Sequence, residues 1–275
     1  MTELGLLFAV FAAISWGTFF VPVRKVTIKN IWQLQGATSI GVLLFAIPVG
    51  YFWGFEIQLG GLVSGIIWTI ANLLALLSVR LIGLARTSPL LAGFSIITSF
   101  AWGITFFNET FNSLILALIA IGLLLAGLSL VAKGEKNPSI QKKGYFVAIA
   151  SGLIGGSYII PMQATQTLQS GFFSSSLSIF AIGIPMFLLA KRFIKKETVA
   201  GIISGSLFNL GSLSVLNAVA LIGIAIAFPI AQTATLFAVS WGMFYFKEVV
   251  QRQGILRVSM GVVIILCGAA LLAIA

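Results

Sequence analysis

Two asparagines lie in the middle of long apolar stretches of the chain. Asn72 and Asn209 are each followed by leucine, and Trp68 lies four residues before Asn72, on the same face of a helix. A side-chain amide both donates and accepts hydrogen bonds, as the hydroxyl of a polar solute does. Because an unpartnered amide is costly in lipid, each asparagine either contacts a polar solute or bridges neighbouring helices. We predict that Asn72, Asn209 and Trp68 bind the substrate, with helix bridging as the alternative for the amides.

Trp16, Tyr158 and Gln232 complete the predicted binding residues. Trp16 lies well inside the first apolar stretch, and an indole face stacks on flat C–H surfaces while its N–H can bond a hydroxyl. Tyr158 lies one turn before Pro161, and Gln232 lies one turn after Pro229. A proline in a helix frees a backbone carbonyl that a ligand could use. The alternatives are an aromatic belt at the membrane interface for the tryptophan and simple helix kinks for the prolines.

The ionisable residues exclude several classes of protein. The chain has no histidine and a single cysteine, so we expect no cofactor, no histidine-based metal site and no internal disulfide. All the acidic residues are glutamates at the ends of apolar stretches or between them: Glu3, Glu56, Glu109, Glu135, Glu197 and Glu248. The stretches therefore hold no acid pair or nucleophile–base pair for an enzyme, and no carboxylate for an organic cation. A neutral, hydroxyl-rich solute is the predicted substrate.

The amino-acid composition indicates that these residues lie within a membrane. Hydrophobic residues make up 59% of the chain and charged residues 8%, whereas a soluble domain carries about 25% charged residues. The apolar runs are continuous rather than alternating, which favours transmembrane helices over a barrel. The sequence predicts an all-α integral membrane protein with ten spans near residues 4–23, 32–53, 60–80, 85–107, 112–132, 144–163, 171–190, 198–219, 224–245 and 253–274.

The sequence contains an internal duplication. LIGLARTSPLLAG, from residue 81, is repeated as LIGIAIAFPIAQT, from residue 221, and Trp-Gly at 102 recurs at 241. Pro22 corresponds to Pro161, and Asn72 to Asn209. The predicted organisation is a five-helix repeat at 1–132, a basic linker at 133–143 and a second five-helix repeat at 144–275. Gly122 and Gly127 in the fifth span, and Gly261 and Gly268 in the tenth, predict close packing of these spans.

Basic residues predict the orientation. All 16 lysines and arginines follow the first, third, fifth, seventh or ninth span, so they lie on one face of the membrane. This charge is better interpreted as an orientation signal than as a nucleic-acid-binding surface, and it places that face in the cytoplasm and both termini outside. Because each repeat has an odd number of spans, the two copies are inverted relative to each other. Inverted repeats are typical of secondary transporters that bind their substrate between the halves.

Three motifs carry a resemblance to a known group: WGTFFVPVRKV from residue 16, GGLVSGIIWTIANLL from residue 60 and RLIGLARTSPL from residue 80. With the five-plus-five pattern, they resemble the drug/metabolite transporter superfamily, and within it the branch of glucose/ribose porters and rhamnose transporters. The resemblance implies monosaccharide uptake across the plasma membrane driven by a co-transported ion, as in a symporter. The sequence departs from this expectation in having no carboxylate in mid-membrane for a proton.

Three functions are therefore compatible with the sequence. The first is alternating-access transport of a monosaccharide or similar neutral polar solute. The second is export of amino acids or other metabolites on the same fold, since zwitterions can be held by helix ends and backbone groups. The third is a membrane subunit or sensor that transports nothing.

Overall fold

The computed structural model describes residues 2–109, 111–132, 142–190, 194–247 and 252–275. All regular secondary structure in these ranges is helical. The helices are α1 (Thr2–Thr18), α2 (Val21–Arg24), α3 (Ile31–Trp53), α4 (Leu59–Ile82), α5 (Leu84–Thr105), α6 (Leu114–Ala132), α7 (Lys143–Gly155), α8 (Ile160–Ala164), α9 (Gly171–Leu188), α10 (Lys195–Ile222), α11 (Ile224–Ala231), α12 (Ala234–Ser240), a π-helical turn (Trp241–Tyr245) and α13 (Arg252–Ile274).

The helices are those of a multi-pass membrane protein. Within the described ranges, nine helical segments are long and apolar enough to cross a bilayer, and α6 contributes a shorter apolar helix at Leu114–Leu130. Each predicted span coincides with one of these segments. The predicted linker at 133–143 lies outside the described residues except for Lys142 and Lys143, and Lys143 is already the first residue of α7.

Two pairs of consecutive spans are separated by a single residue, at positions where the sequence is apolar on both sides of the break. Gly83 lies between α4 and α5 with φ of 81°, and Gly223 lies between α10 and α11 with φ of 76°. A residue at positive φ cannot continue a right-handed helix, and glycine adopts this conformation without steric cost. The connections are therefore one residue long, and the flanking helices extend to Ile82 and Ile222, slightly beyond the predicted span ends.

Prolines interrupt some spans and leave others continuous. Pro22 and Pro161 lie in the first turn of the short helices α2 and α8, where the missing N–H removes no helical hydrogen bond. Each therefore follows a break in its span. Pro89 lies inside the unbroken helix α5, whereas its repeat counterpart Pro229 lies in α11, which ends two residues later at Ala231.

The central helices pack in matching pairs. Helix α1 packs on α10 and α7 packs on α4, while α3 and α9 pack on each other and on α10 and α4 respectively. Glycines allow close approach in these pairs: a side chain at Gly41 would collide with the carbonyl of Ile202, and one at Gly205 would collide with the carbonyl of Thr38. Helices α6 and α13 pack on each other beside this group.

The packing of α6 differs in detail from the sequence-based expectation. Gly127, not Gly122, lies in close contact with α13, because a Cβ added to Gly127 would come within 2.7 Å of the Gly261 carbonyl oxygen. Gly122 is exposed and a Cβ there would meet no atom within 4 Å. The two glycines are five residues apart and therefore lie on different faces of the helix. The prediction that Gly122 packs closely against α13 was therefore wrong.

Glu109 joins the two halves of the chain at the end of α5. Its carboxylate accepts hydrogen bonds from the backbone N–H groups of Ile224 at 3.1 Å and Ala225 at 2.8 Å, in the first turn of α11. The amide of Gln163, in α8, donates to the same carboxylate at 3.3 Å. A negative charge at a helix N-terminus is favoured by the free N–H groups and the helix dipole. One side chain thus ties together three elements of the bundle.

Candidate functional site

A cavity lies between α1, α4, α5, α7, α10, α11 and α12, with an empty volume of about 680 Å³ including the part open to solvent. Both halves of the chain contribute to its wall. Its lining includes aromatic rings, amides and hydroxyls: Trp16, Phe19, Phe20, Trp68, Asn72, Ser88, Ser95, Ser151, Tyr158, Phe208, Phe228, Gln232 and Thr235. No charged side chain of the described residues lines it. Small-ligand sites are typically mostly apolar with a few placed polar groups, as this lining is.

Aromatic rings line much of the cavity and contact one another. Phe208 lies between two tryptophans: its ring is stacked on Trp16 with centroids 6.1 Å apart and planes 6° apart, and it lies 4.1 Å from Trp68. Tyr158 approaches Trp16 edge-on at 6.2 Å, and Phe228 does so at 5.8 Å. Flat apolar faces of this kind fit the C–H surface of a sugar ring.

The indole N–H of Trp16 has a different partner from the one that the sequence suggested. It donates to the backbone carbonyl of Phe208 at 3.2 Å, so it is not free for a substrate hydroxyl. The bond ties α1 to α10 and fixes the plane of the ring. Trp16 can therefore offer the cavity its ring and not its N–H group.

Asn72 and Gln232 supply the amides of the cavity. The Nδ2 group of Asn72 donates to Oε1 of Gln35 at 2.6 Å. Gln232 is the residue that follows α11, at the break before α12. Its side-chain amide makes no hydrogen bond to any residue in the described part of the chain and is partly exposed. A ligand in the cavity would therefore meet one restrained amide and one free amide.

The hydroxyl groups around the cavity are mostly occupied by the protein itself. Ser95 donates to the carbonyl of Gly152 at 3.0 Å, and Ser151 donates to the carbonyl of Ala71 at 2.7 Å. Ser88 and Thr235 share a hydrogen bond of 3.2 Å across the two halves. These serine and threonine hydroxyls hold helices together. They leave the amides and the hydroxyl of Tyr158, which is buried and has no hydrogen-bond partner among the described residues, as the polar groups for a ligand.

Asn209 does not line the cavity. Its Nδ2 group donates to the carbonyl of Val42 at 2.8 Å and to Oγ of Ser176 at 2.9 Å, and the side chain is buried between α10, α3 and α9. The structure thus brings five of the six sequence-predicted residues together at one cavity and places Asn209 elsewhere. Asn209 therefore bridges neighbouring helices, which is the alternative role that the sequence allowed for the two asparagines.

Two residues near the site were missed by the sequence-based argument. Phe208 gave a signal, because it directly precedes Asn209, but one phenylalanine among 23 is not distinctive. Gln35 is an amide inside the second span, and it was overlooked because it has no amide counterpart in the second repeat. Its importance depends on its contact with Asn72, 37 residues away.

The fold and the cavity define a multi-pass helical membrane protein with a partly open, uncharged cavity lined by residues of both halves of the chain. A family profile described as "Sugar transport protein" matches residues 7–275. The chain therefore belongs to the sugar transport protein family.

Individual relatives agree with this assignment over their whole length. The chain is 27% identical to a putative ribose uptake protein of Latilactobacillus sakei, covering 97% of each chain. It is 24% identical to the glucose uptake protein of Bacillus subtilis, covering 98% of each chain. A solved crystal structure of another protein superposes with a TM-score of 0.71 at 12% identity, covering 98% of this chain and 96% of that one. The last likeness concerns the fold alone.

Proposed function

We propose that this protein carries a monosaccharide across the plasma membrane by alternating access, as a carrier and not an enzyme. The observation that carries the proposal is the cavity between the halves, in which ring faces surround uncharged amides. A pyranose or furanose presents C–H faces and hydroxyls, and the cavity offers a partner for each. The relatives named as ribose and glucose uptake proteins support the same class of substrate.

Alternating access is supported by the relation between the two halves. We propose ten spans arranged as two inverted five-helix repeats, 1–132 and 144–275. The pairing of α1 with α10 and of α7 with α4 is what such a relation produces. Backbone geometry supports it too: Gly83 and Gly223 share a positive φ, as do Asn108 at 51° and its repeat counterpart Lys247 at 52°. Carriers with inverted repeats place the substrate where the repeats meet.

We assign no coupling-ion site to the cavity. A proton or sodium ion in a carrier is usually held by a carboxylate or by unwound backbone carbonyls. The described lining has no carboxylate. A symport mechanism that uses a carboxylate therefore needs a group outside this lining, and a uniport mechanism needs none.

The function is tested by reconstitution. Purified protein in liposomes is expected to exchange labelled glucose or ribose for the same sugar inside, and unlabelled monosaccharides are expected to compete. Protein-free liposomes and an amino-acid exchange assay serve as controls. Exchange of amino acids without exchange of sugars would identify a metabolite exporter, and no flux of any solute would identify a subunit or sensor that transports nothing.

The orientation gives a separate prediction. The positive-inside rule places the 133–143 linker in the cytoplasm and both termini outside. A reporter that fluoresces only in the cytoplasm should stay dark when it is fused after Ala275, and it should fluoresce when it is inserted in the linker. Fluorescence of the Ala275 fusion together with a dark linker insertion would reverse the orientation.

A further inference from the structure

Gln35 and Asn72 form an incompletely satisfied pair of buried amides. Asn72 donates its Nδ2 group to Oε1 of Gln35 at 2.6 Å, and Gln35 is fully buried in α3. The Nε2 group of Gln35 is buried and has no hydrogen-bond partner. A buried polar group without a partner destabilises a protein, and the bilayer offers no water to replace the partner. The stability of the fold does not explain why this position holds glutamine.

The neighbouring glutamine on the same helix shows what a structural role requires. Gln33 is also fully buried. Its Nε2 group donates to the carbonyl of Ile194 at 3.1 Å and to Oγ1 of Thr198 at 2.8 Å, and its Oε1 accepts from the N–H of Ile194 at 3.1 Å. Gln33 thus fastens α3 to the start of α10. Gln35 makes one bond, and that bond goes to a residue of the cavity.

The contact with Gln35 determines which atom Asn72 presents to a ligand. Gln35 does not line the cavity, so the Nδ2 group of Asn72 points away from the ligand space. The remaining polar atom of the side chain, Oδ1, makes no hydrogen bond to any described residue. Unlike the nitrogen, an amide oxygen only accepts hydrogen bonds.

We propose, building on the sugar-binding function above, that Gln35 is a positioning residue that holds the oxygen of Asn72 toward the substrate. The site then recognises one sugar hydroxyl by the hydrogen bond that this hydroxyl donates. A group that only accepts hydrogen bonds, such as fluorine, cannot replace that hydroxyl. Gln35 in this way selects for a donor at one position of the sugar without touching the sugar.

Analogue binding tests the polarity of the site. The parent is D-glucose or D-ribose, whichever binds the purified protein more tightly, and the probes are its monodeoxy and monodeoxyfluoro analogues. At one ring position, the deoxy and the deoxyfluoro analogue should both bind about tenfold more weakly, or worse, than the parent. If the fluoro analogue binds like the parent at every position where the deoxy analogue is weak, then a donor faces the sugar and the proposal is overturned.

Two matched variants separate positioning from structural support. Gln35→Leu should weaken binding of the parent sugar about tenfold and reduce the discrimination against the fluoro analogue, because the freed amide can turn its nitrogen to the cavity. Its thermal stability should change little, since removal of the unsatisfied buried Nε2 group offsets the loss of the hydrogen bond to Asn72. Gln33→Leu should lower thermal stability and keep the discrimination. Unchanged affinity and discrimination in Gln35→Leu would also overturn the proposal.

The outcomes remain distinct if a variant or the function fails. Should Gln35→Leu not fold, the analogue series on the unaltered protein still decides the polarity. If neither glucose nor ribose binds the unaltered protein, the proposal that this site takes glucose or ribose falls, and the selection mechanism falls with it. If sugar binds but the fluoro analogues are tolerated, only the mechanism falls.

Discussion

Asn72→Ala is expected to weaken sugar uptake about 10- to 100-fold when equal amounts of folded protein are compared. The variant is also expected to be less stable, because the change removes the one side-chain hydrogen bond of the buried Gln35. The substitution removes the hydrogen bond between the cavity amide and a sugar hydroxyl, which is worth ~1–3 kcal/mol when the remaining partner is left buried and unsatisfied. The side chain is short and borders an existing space, so the change leaves little new void in the packed core. The measurement is the concentration dependence of labelled sugar uptake in proteoliposomes.

Asn217→Ala is the matched control for this variant. Asn217 lies on α10 away from the cavity, where it donates to the carbonyl of Leu213 and accepts from Gln169. The same chemical change there should leave the concentration dependence of uptake unaltered. Normal uptake by Asn72→Ala would contradict the assignment of Asn72 to the substrate site.

Asn209→Ala is expected to lower thermal stability and to leave the sugar dissociation constant unchanged. Its Nδ2 group holds α10 to both α3 and α9, and the loss of such buried hydrogen bonds costs about 1–3 kcal/mol. Repeat symmetry alone predicts a transport defect for both asparagines, and the observed geometry separates them. Thermal unfolding in detergent and sugar binding to the same preparation provide the two measurements.

The contrary result for Asn209 is equally definite. A variant that melts like the unaltered protein but binds sugar more weakly would return Asn209 to the substrate site. It would also mean that the helices rearrange enough during transport to expose the face of α10 that packs on α3 and α9.

Much of the fold follows from local sequence. Continuous apolar runs predict the spans, because backbone groups in lipid must be satisfied within a helix. The breaks at Gly83 and Gly223 are also encoded locally, but a one-residue connection gives no loop composition to detect. Span ends at these positions can therefore be estimated only within a few residues.

The site is less predictable, because it depends on which faces of distant helices meet. The residue types at Asn72, Trp68 and Gln232 are sufficient to suggest contact with a sugar. Whether an amide faces a cavity or a neighbouring helix depends on its partners: Asn72 meets one glutamine, whereas Asn209 meets a carbonyl and a serine from two helices. Those partners are far away in the chain, and helical periodicity does not identify them.

Glu109 has a consequence for how the two halves can separate. Its carboxylate binds the first turn of α11 and the amide of Gln163 at the same time, so a rigid rotation of one half against the other must break these bonds together. Because these bonds share one acceptor and break in a single displacement, the two halves separate at a threshold and do not move apart gradually. Hydrogen bonds to a charged acceptor are also about twice as strong as neutral ones. In an alternating-access cycle, this end of the molecule would therefore be either shut or open, which is the condition for moving a solute without a leak.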